Sequence, residues 1–193
     1  MSAAKLLDIS YYPGCSLATS ARESNISMME SSQILGLNLI ELEDWNCCGS
    51  SSASCLDKEL GFSLAVRNLS LAPPGRPLMA MCPRCLYTLR AAQLRLAAEP
   101  ETRRALERRW GREIPDDLEI VHFMEILVRL GPERLQGSLV RNLNGLKFVP
   151  YYGCTLFRPM ALRHHRYYQG EMGNILAILG GEPVTRALIN RCC

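Results

Sequence analysis

Apolar residues fall into short runs of strand length, separated by longer stretches in which they recur every three or four positions. Leu6 to Tyr12 (LLDISYY) and Leu37 to Leu42 (LNLIEL) read as strands, as do Pro77 to Met81 (PLMAM) and Leu146 to Tyr152 (LKFVPYY), with Leu118 to Val121 a weaker fifth. Between them, Ile26, Met29 and Ile34 mark a helix opened by a Ser20/Glu23 capping box and stopped by Gly36. Pro83 suits the first turn of another helix, through Leu86, Leu89 and Leu96 towards Ala98. Further helices are predicted over Glu101 to Trp110, Phe123 to Leu130 and about Pro159 to Leu179. Strand and helix alternate with short links, which predicts an α/β fold with a largely parallel sheet.

The pattern also repeats. Tyr11-Tyr12-Pro13-Gly14-Cys15-Ser16-Leu17 is echoed by Tyr151-Tyr152-Gly153-Cys154-Thr155-Leu156, each after a strand-like run and before a helix. Ile34-Leu35-Gly36 then recurs as Ile178-Leu179-Gly180, and Asn46-Cys47-Cys48 as Asn190-Arg191-Cys192-Cys193. The spacing agrees, with 31 residues between Cys15 and Cys47 and 37 between Cys154 and Cys192. Two pseudo-symmetric strand–helix modules are therefore expected, 1–130 and 146–193, joined by a polar connector at 131–145 (GPERLQGSLVRNLNG).

Composition narrows the class. At 48% hydrophobic and 21% charged, the chain is neither disordered nor fibrous. No apolar run reaches the ~18 residues of a membrane span, and the start (MSAAKLLDISYY) lacks a secretory signal, so a cytoplasmic location is expected. A net charge of +3 is too near balance to argue for nucleic acid. Nine arginines against three acids between Arg76 and Arg112 read as a solvated helix face, with docking of an acidic partner or anionic ligand as the alternative.

Cysteine changes the picture most. The nine are Cys15, Cys47, Cys48, Cys55, Cys82, Cys85, Cys154, Cys192 and Cys193. Without an export signal, and with an odd count, metal or redox chemistry is a better reading than a disulfide framework. Cys15, the Cys47-Cys48 pair and the Cys82-Pro83-Arg84-Cys85 pair each fall at or just beyond the C-terminal end of a predicted strand. In a parallel sheet those ends share one edge, so five thiols can converge. Thiolates bind iron and zinc, and a C-x-x-C entering a helix turns both sulfurs towards one centre. Five exceed the four that zinc or a cubane cluster uses, so one is spare or the cofactor is unusual. Structural zinc and a metal-free redox dithiol stay open on the residues alone.

The run Tyr11-Tyr12-Pro13-Gly14-Cys15, the segment from Leu35 to Gly49 (LGLNLIELEDWNCCG) and the Cys82–Cys85 pair resemble the cysteine-rich "CCG" domain of the B-type subunits of heterodisulfide reductase. The resemblance runs from Met1 to about Leu96 and resumes from Leu146 to Cys193. The phrase Glu43-Asp44-Trp45-Asn46-Cys47-Cys48-Gly49 favours this family over CCG relatives in lactate utilisation and glycolate oxidation. The resemblance implies tandem modules, each with a noncubane [4Fe-4S] cluster, and an oxidoreductase that reductively cleaves a disulfide such as CoM-S-S-CoB within a complex. It implies cluster ligation by Cys15, Cys47, Cys48, Cys82 and Cys85, and by Cys154, Cys192 and Cys193 for part of a second cluster. It identifies no catalytic side chain beyond the clusters. Implied partners are a ferredoxin-like iron–sulfur subunit (C type) and a flavin-containing subunit (A type). Two departures stand out: 33 residues between Cys48 and Cys82 is slightly short for the family, and neither a glycine nor a C-x-x-C follows Cys193. The second site is therefore expected to be incomplete and the chain a fragment of a longer one. The alternatives are a CCG electron-transfer subunit of a quinone- or oxidase-linked complex, and a zinc-stabilised interaction module without catalysis.

The remaining candidates have plainer readings. Gly49 to Cys55 (GSSSASC) is expected to aim backbone N–H groups at the site, with Cys55 itself a small packed residue. His122 reads as a hydrogen-bonded structural histidine, His164-His165 as solvated or partner-facing, and Trp45 as packing over the site. No Ser-His-Asp triad or phosphate-binding loop is evident.

Overall fold

The computed structural model describes residues 7–152, 155 and 171–184, within two compact units, Met1–His122 and Phe123–Cys193. In the first unit the order is β1 (Leu7–Tyr12), α1 (Gly14–Ala18), α2 (Arg22–Ile34), β2 (Leu37–Glu41), α3 (Ser52–Leu56), α4 (Lys58–Leu71), β3 (Leu78–Ala80), α5 (Pro83–Ala98), α6 (Pro100–Trp110) and β4 (Ile120–Val121). The four strands form one parallel sheet in the order β2-β1-β3-β4. The α/β class with a parallel sheet, expected from the pattern, is the fold observed.

Register follows burial. Ile9 pairs with Leu39 and Tyr11 with Glu41 on one side of β1, while Tyr11 pairs with Met79 on the other. Ile9, Tyr12, Leu78 and Met79 are fully buried, because a central parallel strand is covered by helices on both faces. Ser10, equally buried, is satisfied by the Arg76 Nε–H at 2.8 Å. α1 packs on α2, and α4, α5 and α6 pack on one another, the grouping that right-handed crossovers between strands in this order require. Since β1 connects outward to β2 and β3 connects the opposite way to β4, the order reverses between β1 and β3. The carboxyl ends of β1 and β3 are thus the switch point of the sheet, the place where open α/β sheets bind ligands.

Local signals hold at several points. Pro83 opens α5 with Cys82 as its N-cap, and Gly36 ends α2 at φ +68°. The Ser20/Glu23 capping box does not form. Ala21 is the N-cap of α2, without a side-chain cap, because its N–H still closes the α1 turn onto Ser16 O at 2.8 Å. The fourteen-residue α4, opened by Asp57 accepting from the Glu59 N–H, has no counterpart in the apolar periodicity. Its buried face is made of Gly61, Ala65, Val66, Asn68, Leu69 and Ser70, so small and polar residues blur the apolar stripe.

The second unit contains α7 (Phe123–Gly137), β5 (Lys147–Phe148), α8 (Glu171–Ile178) and β6 (Glu182–Pro183). The helix expected over Phe123 to Leu130 meets a break at Gly131 (φ 79°), ahead of Pro132, and helical turns continue to Gly137. β5 and β6 pair in parallel around α8, the same strand–helix–strand sense as β1, α2 and β2. Both helices end alike: Leu35 N–H on Ser31 O then Gly36 on Gln33 O, and Leu179 on Ile175 O then Gly180 on Ala177 O. Among the described residues, no helix is long and apolar enough to cross a membrane.

Candidate metal centre at the sheet edge

Three loops leave the carboxyl ends of β1, β2 and β3 and carry Cys15, Cys47-Cys48 and Cys82 to Cys85. The first is the shortest. Gly14 turns the chain from β1 into α1 at φ +67°, and a Cβ there would lie 3.1 Å from Cys85 Sγ and 3.2 Å from the Tyr12 ring. Glycine therefore lets the backbone lie directly against a cysteine of another loop.

The second loop is fastened by α4 and β1. The Asn68 side chain, fully buried, accepts from the Asn46 N–H at 2.9 Å and donates to Asn46 O at 3.0 Å. Tyr12 OH donates to the same oxygen at 2.8 Å. Asn46 Nδ2 donates to Cys47 O and Leu64 O, and Arg67 Nη1 donates to Asp44 O and Asn46 Oδ1. Asp44 takes a left-handed conformation (φ 57°), the one such non-glycine among the described residues. After the pair, Gly49 (φ +81°) runs so close to α4 that a Cβ on it would meet Gly61 O at 2.4 Å. The Ser54 hydroxyl donates to Gly49 O and completes the fastening. The third loop is anchored by buried His122, whose Nε2 is 2.7 Å from Met81 O, so the structural reading of that histidine holds.

These loops bring Cys15, Cys47, Cys48, Cys82 and Cys85 together. Cys47 contacts Cys15 and Cys48, Cys48 contacts Cys85, and Cys85 contacts Cys82. The buried Cys85 thiol donates towards both Cys48 and Cys82, and those contacts push its own pKa far up. Accepting from Cys85 is the main reason Cys48 falls to about 5, with the Ser50 hydroxyl and N–H assisting against burial. Cys82 falls to about 6, first through Cys85 and then through the Cys85 and Arg84 N–H groups at the start of α5. Burial raises Cys47, opposed by the Gly49 N–H 3.5 Å from its sulfur. Beneath the thiols the Tyr12 phenol is held protonated, by burial first and then by Cys85, Cys48, Cys47 and Cys15.

The thiols form a string of neighbours. Among the described residues, no three His, Cys, Asp or Glu side chains are grouped to hold one metal ion.

Other expectations resolve individually. Cys55 is not a packed residue: it lies exposed on α3, because the serine-rich segment coils into a short helix. The N–H groups of Gly49 and Ser50 do face Cys47 and Cys48. Trp45 sets its edge against Tyr12 at 5.6 Å and donates its Nε1–H to Glu41. Several arginines of the basic run serve the fold: Arg90 is buried and donates to Ile120 O, Arg95 sits 4.0 Å over Phe62 and pairs with Glu59, and Arg103 pairs with Glu107 and Asp116. Cys154, Cys192, Cys193 and His164-His165 lie outside the described residues. Asn68, Arg67 and His122 fasten the loops; of these, periodicity points to neither Asn68 nor Arg67, since it does not reveal α4 itself.

An open parallel sheet with thiols at its switch point defines a cysteine-rich α/β domain. Comparison with known proteins shows what it is similar to. Residues 9–90 match the CCG cysteine-rich domain family, and the chain is homologous to the B-type subunits of heterodisulfide reductase. It is 30% identical over 155 residues to the 8-methylmenaquinol:fumarate reductase membrane anchor subunit of Wolinella succinogenes (79% of this chain, 54% of the relative). It is 30% identical over 138 residues to the B-type subunit of the ferredoxin/F420H2-dependent CoB-CoM heterodisulfide reductase of Methanosarcina acetivorans (68% and 46%). To a protein of Archaeoglobus profundus described as like the B-type heterodisulfide reductase subunit, it is 25% identical over 190 residues (93% and 64%). The chain spans about half the length of the first two relatives.

Proposed function

We propose that the chain is an iron–sulfur oxidoreductase subunit of heterodisulfide reductase B type, in which Cys15, Cys47, Cys48, Cys82 and Cys85 hold a noncubane [4Fe-4S] cluster. The observation that carries this reading is the string of five thiols from three loops at one sheet edge. An all-sulfur donor set suits iron–sulfur chemistry, and a polynuclear cluster takes its thiolates on separate irons, which fits a string better than one zinc ion does. Cys48 and Cys82 already favour the ligating thiolate form, and Gly14 keeps a side chain out of the space beside Cys85.

When bound, the cluster would supply the one-electron steps of reducing a small-molecule disulfide. The chain's own residues prepare the place. Buried Tyr12, with Trp45 against its ring, lies beneath the thiols, Asn46 and Asn68 fix the Cys47-Cys48 pair, and the N–H groups of Gly49 and Ser50 offset thiolate charge. Cys154, Cys192 and Cys193 are proposed to contribute to a second cluster. Modules at 1–130 and 146–193, a cytoplasmic location and C-type and A-type partner subunits belong to the same proposal.

A second reading has specific support. The relative from Wolinella succinogenes is a subunit of a menaquinol:fumarate reductase, which favours electron transfer between a quinone and a partner without disulfide chemistry. Anaerobic purification with iron, sulfide and zinc analysis tests both, since zinc without iron or acid-labile sulfide would refute them together. Turnover in a reconstituted complex then separates them: disulfide-dependent oxidation of a reduced dye supports the first, and quinol-dependent reduction without it supports the second.

A further inference from the structure

We propose that Asn68 is the positioning residue for the Cys47-Cys48 pair, fixing the peptide ahead of it by an amide-to-peptide clamp. The clamp rests on the cluster reading only for its role in redox chemistry; its geometry stands independently.

Asn68 lies on α4, twenty-one residues from Cys47, and its side chain is fully buried. Its carbonyl oxygen accepts the Asn46 N–H at 2.9 Å, while its amide donates to Asn46 O at 3.0 Å and Leu64 O at 3.1 Å. One side chain therefore satisfies both backbone groups of the residue directly before Cys47, as a neighbouring strand would. Of the side chains uncharged at neutral pH, the primary amide is the one that presents an N–H donor and a carbonyl acceptor side by side in this way. The Asn46 side chain extends the same rigidity forward by donating to Cys47 O at 2.7 Å. Tyr12 OH shares Asn46 O, which ties the clamp to β1 and to the Cys15 loop. No other described contact holds both backbone groups of Asn46, so releasing it loosens the start of the Cys47-Cys48 loop, which Tyr12, Arg67 and Ser54 still tie at single points, while the Cys82 to Cys85 turn keeps its own anchors in His122 and α5.

The test compares wild-type, Asn68→Leu and Asn68→Asp full chains. In metal-free protein, cysteine alkylation is followed site by site by mass spectrometry under native conditions. Asn68→Leu leaves the Asn46 N–H unmet and removes the donations to Asn46 O and Leu64 O, so alkylation of buried Cys48 should accelerate about tenfold or more. Buried Cys85 loses only its contact with Cys48 and keeps those with Cys82 and α5, so it should accelerate clearly less than Cys48. Asn68→Asp keeps the acceptor for the Asn46 N–H but sets a carboxylate oxygen against Asn46 O and Leu64 O, so Cys48 should accelerate here too, which remains informative if the leucine variant does not fold. In iron-reconstituted protein the same variants should alter the EPR line shape at unchanged iron content. Equal acceleration at Cys48 and Cys85 would mean that Asn68 only supports global stability, and an unchanged Cys48 rate would remove the clamp; either overturns the proposal. Failure to incorporate iron would instead refute the cluster reading and leave the alkylation result standing.

Discussion

The glycine after the cysteine pair gives the sharpest quantitative expectation. In Gly49→Ala the new Cβ would meet Gly61 O at 2.4 Å and Gly61 Cα at 2.8 Å, and both atoms belong to helix backbone that has no rotamer to yield. The position also has φ +81°. A left-handed alanine costs roughly 1–2 kcal/mol. Forcing a methyl into a closed contact adds about 1–3 kcal/mol. The sum, about 2–5 kcal/mol, is a large share of the roughly 5–15 kcal/mol that holds a domain together. Gly75→Ala is the internal control: its φ is +70°, and nothing lies within 4 Å of the added Cβ, so it bears the backbone cost alone. Both tryptophans, Trp45 and Trp110, belong to the first unit, so their fluorescence during urea unfolding reports on that unit. With a slope of about 2 kcal/mol per molar, Gly49→Ala should lower the midpoint by about 1–2.5 M and Gly75→Ala by about 0.5–1 M. Equal shifts in the two variants would refute the claim that close approach to α4 is what requires glycine after the cysteine pair.

Cys48→Ser should abolish or strongly change the EPR signal of reconstituted protein, whereas Cys55→Ser, at an exposed site on α3, should leave it unchanged. In metal-free protein the alkylation rate of Cys82 should stay level down to pH about 6 and then fall about tenfold per unit as the thiolate is protonated. The same lowered pKa predicts that stability rises between pH about 6 and about 9, because there the unfolded chain binds the extra proton at Cys82; urea midpoints across that range check the sign. His122→Phe keeps the ring volume but removes the bond to Met81 O, and should cost about 1–3 kcal/mol in the same unfolding assay.

Joined at the switch point, the three loops explain why residues so far apart in sequence end up in contact. β1 and β3 are neighbours in the sheet although sixty-five residues separate Tyr12 from Leu78, and each releases its cysteine turn at the same end. The order in which thiols touch follows from that arrangement. Cys85, one helical turn into α5, reaches inward between Cys48 and Cys82, and Gly14 from the β1 turn closes over it.

What the sequence determined by itself was local. Five strands, the start and end of α5, the Gly36 stop and the placement of each cysteine after a strand follow from apolar spacing, proline at a first turn and glycine at positive φ, all of which act within a few residues. The parallel sheet follows too, since alternating strands and helices joined by short links close in few ways. Tertiary structure decided the rest. The stripe of α4 is hidden in small and polar residues whose burial makes sense only against the Asn46 and Gly49 backbone. The Ser20 cap yields to an α1 turn that claims the Ala21 N–H, and Cys55 turns outward because Ser52 to Leu56 coils into a helix. The fall of Cys82 comes from its own C-x-x-C turn, but that of Cys48 depends on Cys85, thirty-seven residues away on another loop, a contact that no local pattern encodes.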